Sequence, residues 1–181
     1  MIDPGMPVVT VFGASDPVPG SAAWDDAFEV GRLLAGAGYW VANGGYGGTM
    51  EASAKGASEA GGEIIGVTCS LWTASPNSYV DHVVCTKSHG ERLDQLVCLG
   101  TCGYVVLPGA TGTLVELATV WELAAKGFLP KGPKGRSRPI ACVGEFWNPL
   151  VDLMASAKES SRDIVTLCAV PGDIRDVFGK M

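Results

Sequence analysis

The sequence predicts an α/β fold, in which a single doubly wound and mostly parallel sheet has helices on both faces. Short apolar runs alternate with helix-length amphipathic stretches along the 181 residues, which is the pattern of strand–helix–strand units. The apolar runs are continuous instead of alternating with polar residues, which indicates strands that are buried on both faces. No linker-like segment interrupts this pattern, so a single domain over residues 1–181 is expected. In such a fold a ligand is expected beyond the carboxyl ends of the strands.

The first element is a strand, Val8–Phe12, because apolar and β-branched residues stand together there. An amphipathic helix, Ala22–Ala37, begins near Ser21, a residue type that caps helices, and ends before Gly38. Glycine-rich turns and the same apolar periodicities predict the elements that follow. These are strands at Tyr39–Asn43, Glu63–Cys69 and His82–Thr86, and helices at Thr49–Ala60 and Gly90–Thr101.

In the second half of the chain, the predicted strand Tyr104–Leu107 ends at Pro108. The helix Thr113–Lys126 follows a loop that contains glycines, which indicates a tight strand-to-helix junction. The remaining expected elements are strands at Pro139–Val143 and Ile164–Cys168, and helices at about Pro149–Lys158 and Pro171–Phe178.

The charge balance constrains the partners of the protein. The net charge of −6 argues against a general nucleic-acid-binding surface. One basic segment, Lys131–Arg138, is expected to be a solvated loop because it contains glycine and proline, with a polyanion-binding patch as the alternative. An anionic small molecule would therefore have to be captured by helix N-termini and single arginines.

Cellular location and cofactors are constrained by features that the sequence lacks. No window is apolar over the length of a membrane span, and the N-terminal residues lack the basic start of a signal peptide. The six cysteines form no CxxC pair, and neither histidine stands at metal-ligand spacing. Free thiols in a reducing cytoplasm are the expected state, and no metal, cofactor or membrane partner is predicted.

The main candidate site lies between the strand 104–107 and the helix that follows it. The loop consists of Pro108, Gly109, Ala110, Thr111, Gly112 and Thr113. Glycines let the backbone approach a ligand, and the free N–H groups of a helix start bind anions such as phosphate. Glu116 lies one helical turn further on, where a carboxylate can act on the bound compound. The alternative is structural, because Thr113 and Glu116 also fit the capping-box pattern.

Two further strand-to-helix turns are expected to open on the same edge of the sheet. The glycine-rich pattern is repeated after the second strand by Gly44, Gly45, Gly47, Gly48 and Thr49. A tight turn with close packing is the alternative explanation of this loop. Gly13 and Ser15 follow the first strand, where Ser15 either contacts the ligand or caps a turn or helix.

Arg92 is the candidate cation near these loops. It lies at the start of the predicted helix after the fourth strand, and the default interpretation is a surface arginine paired with Glu91, Asp94 or Glu29. His89 is expected to be an ordinary loop histidine. No Walker A lysine follows either glycine loop, and no Ser–His–Asp arrangement or HExxH motif occurs. Metal-assisted phosphoryl transfer is therefore not expected.

Taken together, these motifs resemble those of the LOG (Lonely guy) family of the Rossmann-like SLOG superfamily, to which molybdenum-cofactor carrier proteins are related. The LOG hallmark P-G-G-x-G-T-x-x-E corresponds to residues 108–116, with Ala110 in place of the second glycine. The GGG-like loop corresponds to residues 44–48. The M-x-x-R-K segment corresponds to residues 89–93, with His89 in place of methionine and Leu93 in place of lysine. The resemblance extends from about Val8 to Val151.

The resemblance implies a nucleotide-binding domain that forms a homodimer. It also implies hydrolysis of the N-glycosidic bond of cytokinin riboside 5′-monophosphates or AMP, which releases the free base and ribose 5-phosphate. Arg92 and Glu116 would then be the catalytic pair, and the glycine loops would bind the phosphate. Lysine decarboxylation, a label also used for this family, is not expected, because it needs pyridoxal phosphate on a lysine and neither glycine loop precedes a suitable one.

Two alternatives come from other functional classes. The first is a non-catalytic nucleotide- or cofactor-binding protein, similar to the molybdenum-cofactor carriers, whose ligand also bears a phosphate. The second is a nucleotide-sensing module related to DNA-processing proteins, which suits the fold but not the acidic composition. The fold by itself does not decide among these functions.

Overall fold

The structure is a computed structural model that describes residues 6–132 and 135–179. The strands are β1 (Val8–Phe12), β2 (Trp40–Asn43), β3 (Ile64–Cys69), β4 (His82–Thr86), β5 (Gly103–Val106), β6 (Ile140–Val143) and β7 (Val165–Cys168). The helices are α1 (Ala22–Gly36), α2 (Thr49–Glu59), α3 (His89–Leu99), α4 (Thr111–Ala125), α5 (Asn148–Ala157) and α6 (Ile174–Phe178). Two 3₁₀ turns, Glu159–Ile164 and Pro171–Asp173, flank β7, and the second takes the place of the first part of the predicted helix 171–178.

The strands form one seven-stranded sheet in the order β4-β3-β2-β1-β5-β6-β7, and each neighbouring pair is parallel. The predicted α/β fold is therefore confirmed. The direction of strand addition reverses at β1, where Val9 lies opposite Val41 of β2 on one side and opposite Gly103 of β5 on the other. The loops that leave β1 and β5 diverge at this point, which opens a crevice at the carboxyl ends of the strands.

Helices cover both faces of the sheet, as the continuous apolar strands predict. On one face, α1, α2 and α6 bury residues such as Leu34 and Ile174 in a core that includes Val105 of β5. On the other face, α3, α4 and α5 form a second core, in which Leu117 packs with Tyr104. Each fully buried large aliphatic side chain contributes roughly 1.5–3 kcal/mol by leaving water. The two cores hold the strand ends, and hence the crevice, in a fixed frame.

The helices α1 and α2 approach each other so closely that the contact requires glycine on both. A Cβ atom at Gly31 would collide with the backbone carbonyl of Ser53, and one at Gly56 would collide with the carbonyl of Phe28. This packing fixes the position of α2, whose first turn lies beside the crevice.

Helix α3 begins at His89, one residue before its predicted start. The Ser88 hydroxyl accepts a hydrogen bond from the Glu91 amide (3.1 Å), and the Glu91 carboxylate accepts one from the Lys87 amide (2.8 Å). These two side-chain caps fix the start of the helix. They also fix Arg92, which lies in the first turn of α3.

Residues 131–132 and 135–138 of the basic segment lie between α4 and β6, and therefore near the amino ends of the strands, at the edge opposite the crevice. Within it, the Gly132 amide donates a hydrogen bond to the Arg136 carbonyl (2.8 Å). Lys134 and its neighbour at position 133 lie outside the described residues. The position of the segment separates it from the candidate site.

Candidate functional site

A crevice of about 420 Å³ lies at the carboxyl ends of β1 and β5, where the direction of strand addition reverses. It brings together six residues that the sequence predicts for the site, which are Gly13, Ser15, Arg92, Gly112, Thr113 and Glu116. The other eight predicted residues do not line it, although they belong to the same two strand-to-helix junctions as lining residues: Gly44, Gly45, Gly47, Gly48, Thr49, Pro108, Gly109 and Thr111. The lining also includes Tyr46 and Trp72, which the sequence did not single out.

The loop after β1 is attached to the start of α2. The backbone amide and the hydroxyl of Thr49 both donate hydrogen bonds to the Ala14 carbonyl, each at 2.9 Å. Gly48 has a φ of 67°, and a Cβ atom there would collide with the backbone of Ser15. A Cβ atom at Gly13 would collide with the Thr49 hydroxyl. The first amide of α2 is therefore bound by the first loop, and the two glycines permit this close packing, although Gly13 also lines the crevice.

Ser15 itself lies on the exposed side of this loop and lines the crevice. The cap of α1 is a different serine, Ser21, whose hydroxyl accepts a hydrogen bond from the Trp24 amide (3.3 Å). The alternative in which Ser15 caps the helix is therefore wrong, because six residues separate it from the helix that it would cap.

None of the first three amides of α4 has an acceptor within the described residues, whereas the first amide of α2, that of Thr49, is bound to the Ala14 carbonyl. The helix begins at Thr111, and its first intrahelical hydrogen bond runs from the Leu114 amide to the Ala110 carbonyl (3.0 Å). The amides of Thr111, Gly112 and Thr113 precede this bond, and no acceptor for them is found among residues 6–132 and 135–179. Ala110 has no side chain that could cap them. The result is an uncapped helix N-terminus beside the crevice, which is suited to bind an anion.

The capping-box alternative for Thr113 and Glu116 is wrong. Thr113 lies inside the first turn of α4 and is only 3% exposed, so it does not occupy the cap position. It packs against Gly109, where a Cβ atom would collide with the Thr113 hydroxyl. Pro108 follows Leu107, whose carbonyl accepts a hydrogen bond from the Trp147 indole (3.0 Å). Gly109 and Pro108 therefore determine the shape of the loop without lining the crevice.

Arg92 is buried, with 8% of its surface exposed, so the default interpretation as a surface arginine is wrong. Its Nε donates a hydrogen bond to the Val67 carbonyl (2.7 Å), and its Nη2 donates one to the Gly44 carbonyl (3.0 Å). Burial lowers the pKa of the guanidinium, and the nearby Glu116 carboxylate opposes this shift. An arginine remains charged even so, so the crevice contains a fixed positive charge.

Gly44 provides the space for this arginine. A Cβ atom at Gly44 would collide with Arg92 Nη2 and would lie 2.5 Å from Met50 Sδ. The first glycine of the second loop is therefore required by the position of the guanidinium. The sequence predicted it instead as a phosphate contact.

Glu116 lies opposite Arg92 in the crevice. Its Oε1 is 4.0 Å from Arg92 Nη1, which is too far for a hydrogen bond, and 15% of its side chain is exposed. Burial raises the pKa of Glu116 to about 7, and the charge of Arg92 opposes this shift only in part. The carboxyl group therefore exists in both protonation states near neutral pH, and it can accept or donate a proton.

Two aromatic side chains lie near the Arg92 guanidinium, and a third packs against one of them. Its central carbon is 5.0 Å from the centroid of the Trp72 ring and 5.7 Å from that of Tyr46. The His89 ring packs edge-on against Trp72, with 6.0 Å between centroids. Tyr46 stands inside the glycine loop, which could have identified it. Trp72 belongs to a loop without a motif, and only the tertiary structure reveals its role.

The described part of the chain contains no group of three or more His, Cys, Asp or Glu residues that could hold a metal ion. Nor does any helix within it combine the length and the apolar character required to cross a bilayer.

Comparison with known families gives one match over most of the chain. The sequence model of the SLOG cluster4 family matches residues 6–129, which include all the residues that line the crevice. Among curated proteins, an uncharacterised protein of Archaeoglobus fulgidus is 33% identical over 92 residues. The aligned region is 51% of this chain and 60% of that protein, so the match spans less than two thirds of the relative's length.

Several solved structures have the same fold. The molybdenum cofactor binding protein of Rippkaea orientalis superposes with a TM-score of 0.73 at 23% identity, over 95% of this chain and 94% of that one. The molybdenum cofactor carrier protein of Chlamydomonas reinhardtii gives 0.70 at 21% identity, over 95% of both chains. DNA processing protein A of Streptococcus pneumoniae gives 0.64 at 15% identity, over 98% of this chain and 64% of that one. At such identities the similarity establishes the fold and not the activity.

Proposed function

The chain belongs to the SLOG cluster4 family, and from this starting point we propose that its crevice binds a small phosphorylated compound in a carrier or binding role. The main support is the open start of α4, where Gly112 and Thr113 line the crevice and the first three amides lack an acceptor within the described ranges. Such amides, together with the helix dipole, bind phosphate without a lysine. This mode of binding suits a protein whose net charge is −6.

The contacts of Arg92 support a role in binding more than one in catalysis. Its hydrogen bonds to the Val67 and Gly44 carbonyls hold β3 and the loop after β2 together. The guanidinium is therefore committed to the architecture of the crevice, and only Nη1 is directed toward Glu116. A ligand would meet a preorganised positive charge without inducing a rearrangement.

The names of the structural relatives agree with a carrier role. Two of them are described as proteins that bind or carry the molybdenum cofactor, a ligand that bears a phosphate. A cargo of this kind would place its phosphate at the start of α4. A shared fold does not determine the ligand, so we extend the proposal to phosphorylated small molecules as a class.

Calorimetric titration with AMP and with adenosine tests this proposal, because the two differ only in the phosphate. We expect AMP to bind about tenfold or more tightly, since hydrogen bonds to a charged group contribute roughly 1.5–3 kcal/mol. The variant Thr111→Pro removes one amide N–H at the first position of a helix, where proline is accepted. It should weaken the binding of AMP and leave the binding of adenosine unchanged. Thr111→Ala keeps the amide and serves as the matched control. Equal affinities of the wild type for AMP and adenosine would contradict the proposal.

A second candidate function is the hydrolysis of nucleoside 5′-monophosphates, as in the LOG family. The observation that favours it is the pair formed by Arg92 and Glu116 in the crevice, with the pKa of Glu116 raised to about 7. Water would add to C1′ of the ribose as the bond to the base breaks, and a proton would pass to the leaving base. In its acid form Glu116 would protonate the leaving base, and the carboxylate formed in this way would stabilise the oxocarbenium-like centre and then take a proton from the attacking water.

Chromatographic detection of free base tests the second candidate. The wild type and the Glu116→Gln variant would each be incubated with AMP and with isopentenyladenosine monophosphate. Hydrolysis by this site predicts base release that disappears in Glu116→Gln while AMP still binds. A wild type that binds AMP but releases no base from either compound would rule out hydrolysis of these compounds and favour the carrier role.

A further inference from the structure

We propose that Tyr46, Trp72 and His89 form an aromatic platform on which the planar heterocyclic ring of the bound compound stacks. The inference rests on the proposed phosphate site and adds the chemical class of the ligand. None of these side chains belongs to the start of α4, where the phosphate is proposed to bind, and all three line the same crevice.

Trp72 is the central residue of the aromatic platform. It is 43% exposed, although its surroundings hold the ring in place. The Tyr46 ring packs edge-on against it with 5.5 Å between centroids, and the His89 ring does so at 6.0 Å. The Arg92 guanidinium carbon lies 5.0 Å from its centroid, within the range of a cation–π contact. An immobilised indole that remains partly open to a crevice offers a surface for stacking of an aromatic ring.

The loop that bears Trp72 is attached to the loop after β2. The Asn77 amide donates a hydrogen bond to the Gly45 carbonyl (2.8 Å), and the Asn77 side chain donates one to the Tyr46 carbonyl (2.8 Å). The Tyr46 hydroxyl accepts a hydrogen bond from the Cys69 amide (2.9 Å) at the end of β3. Because these contacts exist before a ligand arrives, binding requires little additional ordering of the aromatic platform.

Arg92 connects the aromatic platform to the phosphate site. Its Nη1 lies 4.0 Å from Glu116, which stands one helical turn beyond the start of α4, and its central carbon lies 5.0 Å from the Trp72 ring. The order along the crevice is therefore helix start, acid–arginine pair and aromatic platform. A compound with a phosphate at one end, a sugar ring in the middle and a flat heterocycle at the other end matches this order. Nucleoside 5′-monophosphates have this arrangement.

Calorimetric titration with AMP, ribose 5-phosphate and adenosine separates the two parts of the site. Replacing a stacking aromatic by alanine costs about 5- to 150-fold in affinity for a base. We therefore expect Trp72→Ala to weaken AMP and adenosine by such a factor and to leave ribose 5-phosphate unchanged. Trp72→Phe should restore most of the affinity. Leu71→Ala is the matched control, because Leu71 is in the same loop and 68% exposed but does not line the crevice.

The outcomes distinguish this inference from the proposed function. Equal losses for AMP and ribose 5-phosphate in Trp72→Ala would show that Trp72 only shapes the crevice, and would overturn the inference. A wild type that binds AMP no more tightly than ribose 5-phosphate would also overturn it, while the phosphate site would stand. Trp72-dependent binding of adenosine without binding of ribose 5-phosphate would support the aromatic platform and contradict the phosphate site. Binding of none of the three compounds would overturn both.

Discussion

Glu116 is a carboxyl group in an environment that favours its neutral form. Only 15% of its side chain is exposed, and its distance of 4.0 Å from Arg92 does not offset the loss of hydration. Its pKa of about 7 in the folded protein exceeds the ordinary value of 4.5. At a pH between 4.5 and about 7, the folded chain therefore retains a proton on Glu116 that the unfolded chain has released. Folding and pH are therefore coupled through this residue.

The coupling gives a test of the burial of Glu116. Because the folded state binds the additional proton, the unfolding free energy of the wild type decreases as the pH rises through the interval from 4.5 to about 7. Glu116→Gln lacks this ionisation, so its stability relative to the wild type should increase with pH, by up to ~3 kcal/mol. Urea unfolding of both proteins from about pH 5 to about pH 8 measures the difference. A difference that does not change with pH would show that Glu116 is well hydrated.

The sequence identified Arg92 and Glu116, and the structure brings them together, but the environment of each could not be predicted. Arg92 is buried by carbonyl groups of Val67 and Gly44, which are remote in the chain. Sequence periodicity reports which face of a helix is apolar, and Arg92 interrupts that pattern. Trp72 was missed for a related reason, because only its position over the guanidinium distinguishes it from other exposed aromatic residues.

At the level of elements, the strand-to-helix junctions differ in what they offer a ligand. The first amide of α2 is bound to the Ala14 carbonyl, and Gly48 and Thr49 do not line the crevice, whereas Gly112 and Thr113 at the start of α4 do. Both loops are rich in glycine, so composition predicted the same role for both. The sequence also placed the start of α4 two residues late, at Thr113, because a Thr-x-x-Glu pattern is typical of a capped helix. Which helix start is free depends on contacts between loops, which local sequence does not encode.

A matched pair of substitutions tests the element-scale interpretation of the second glycine loop. Gly44→Ala should displace the Arg92 guanidinium and destabilise the fold by roughly 1–3 kcal/mol, as overpacking does, with a loss of AMP affinity. Gly47→Ala should be tolerated, because a Cβ atom there would have its nearest neighbours at 3.8 Å and 4.0 Å. Thermal unfolding and AMP titration of the two variants measure the contrast. Equal effects of both substitutions would show that Gly44 is not the residue that accommodates Arg92.

At the level of the whole molecule, the sheet and the helices on both faces were predictable, and the crevice was expected at the correct edge. Continuous apolar strands such as β3 can only be buried between two helical layers, which determines the fold class. The reversal of strand order at β1 was not predictable, because it depends on the pairing of β1 with β5 across many residues. The position of the basic segment 131–138 could not be predicted either, because it also depends on how distant parts of the chain pack together.

The homodimer that the resemblance to the LOG family implies remains a prediction. The apolar side chains of Leu114 and Met154 are each 37% exposed and line one groove between α4 and α5. A second copy of the chain could bury this groove, which would remove apolar surface from water. Light scattering at micromolar concentration should give twice the chain mass for the wild type. Replacement of both residues by glutamate should give the monomer. A monomeric wild type would contradict the prediction.

The position of the phosphate is the most direct test of the proposed binding mode. It can be determined in a crystal structure of the Glu116→Gln variant with AMP, which would exclude hydrolysis by this carboxyl group. We expect phosphate oxygens at about 3 Å from amide nitrogens in the first turn of α4, those of Thr111, Gly112 and Thr113, with the adenine ring against Trp72. A phosphate bound elsewhere, for example by the basic segment 131–138, would contradict the assignment of the crevice as the binding site.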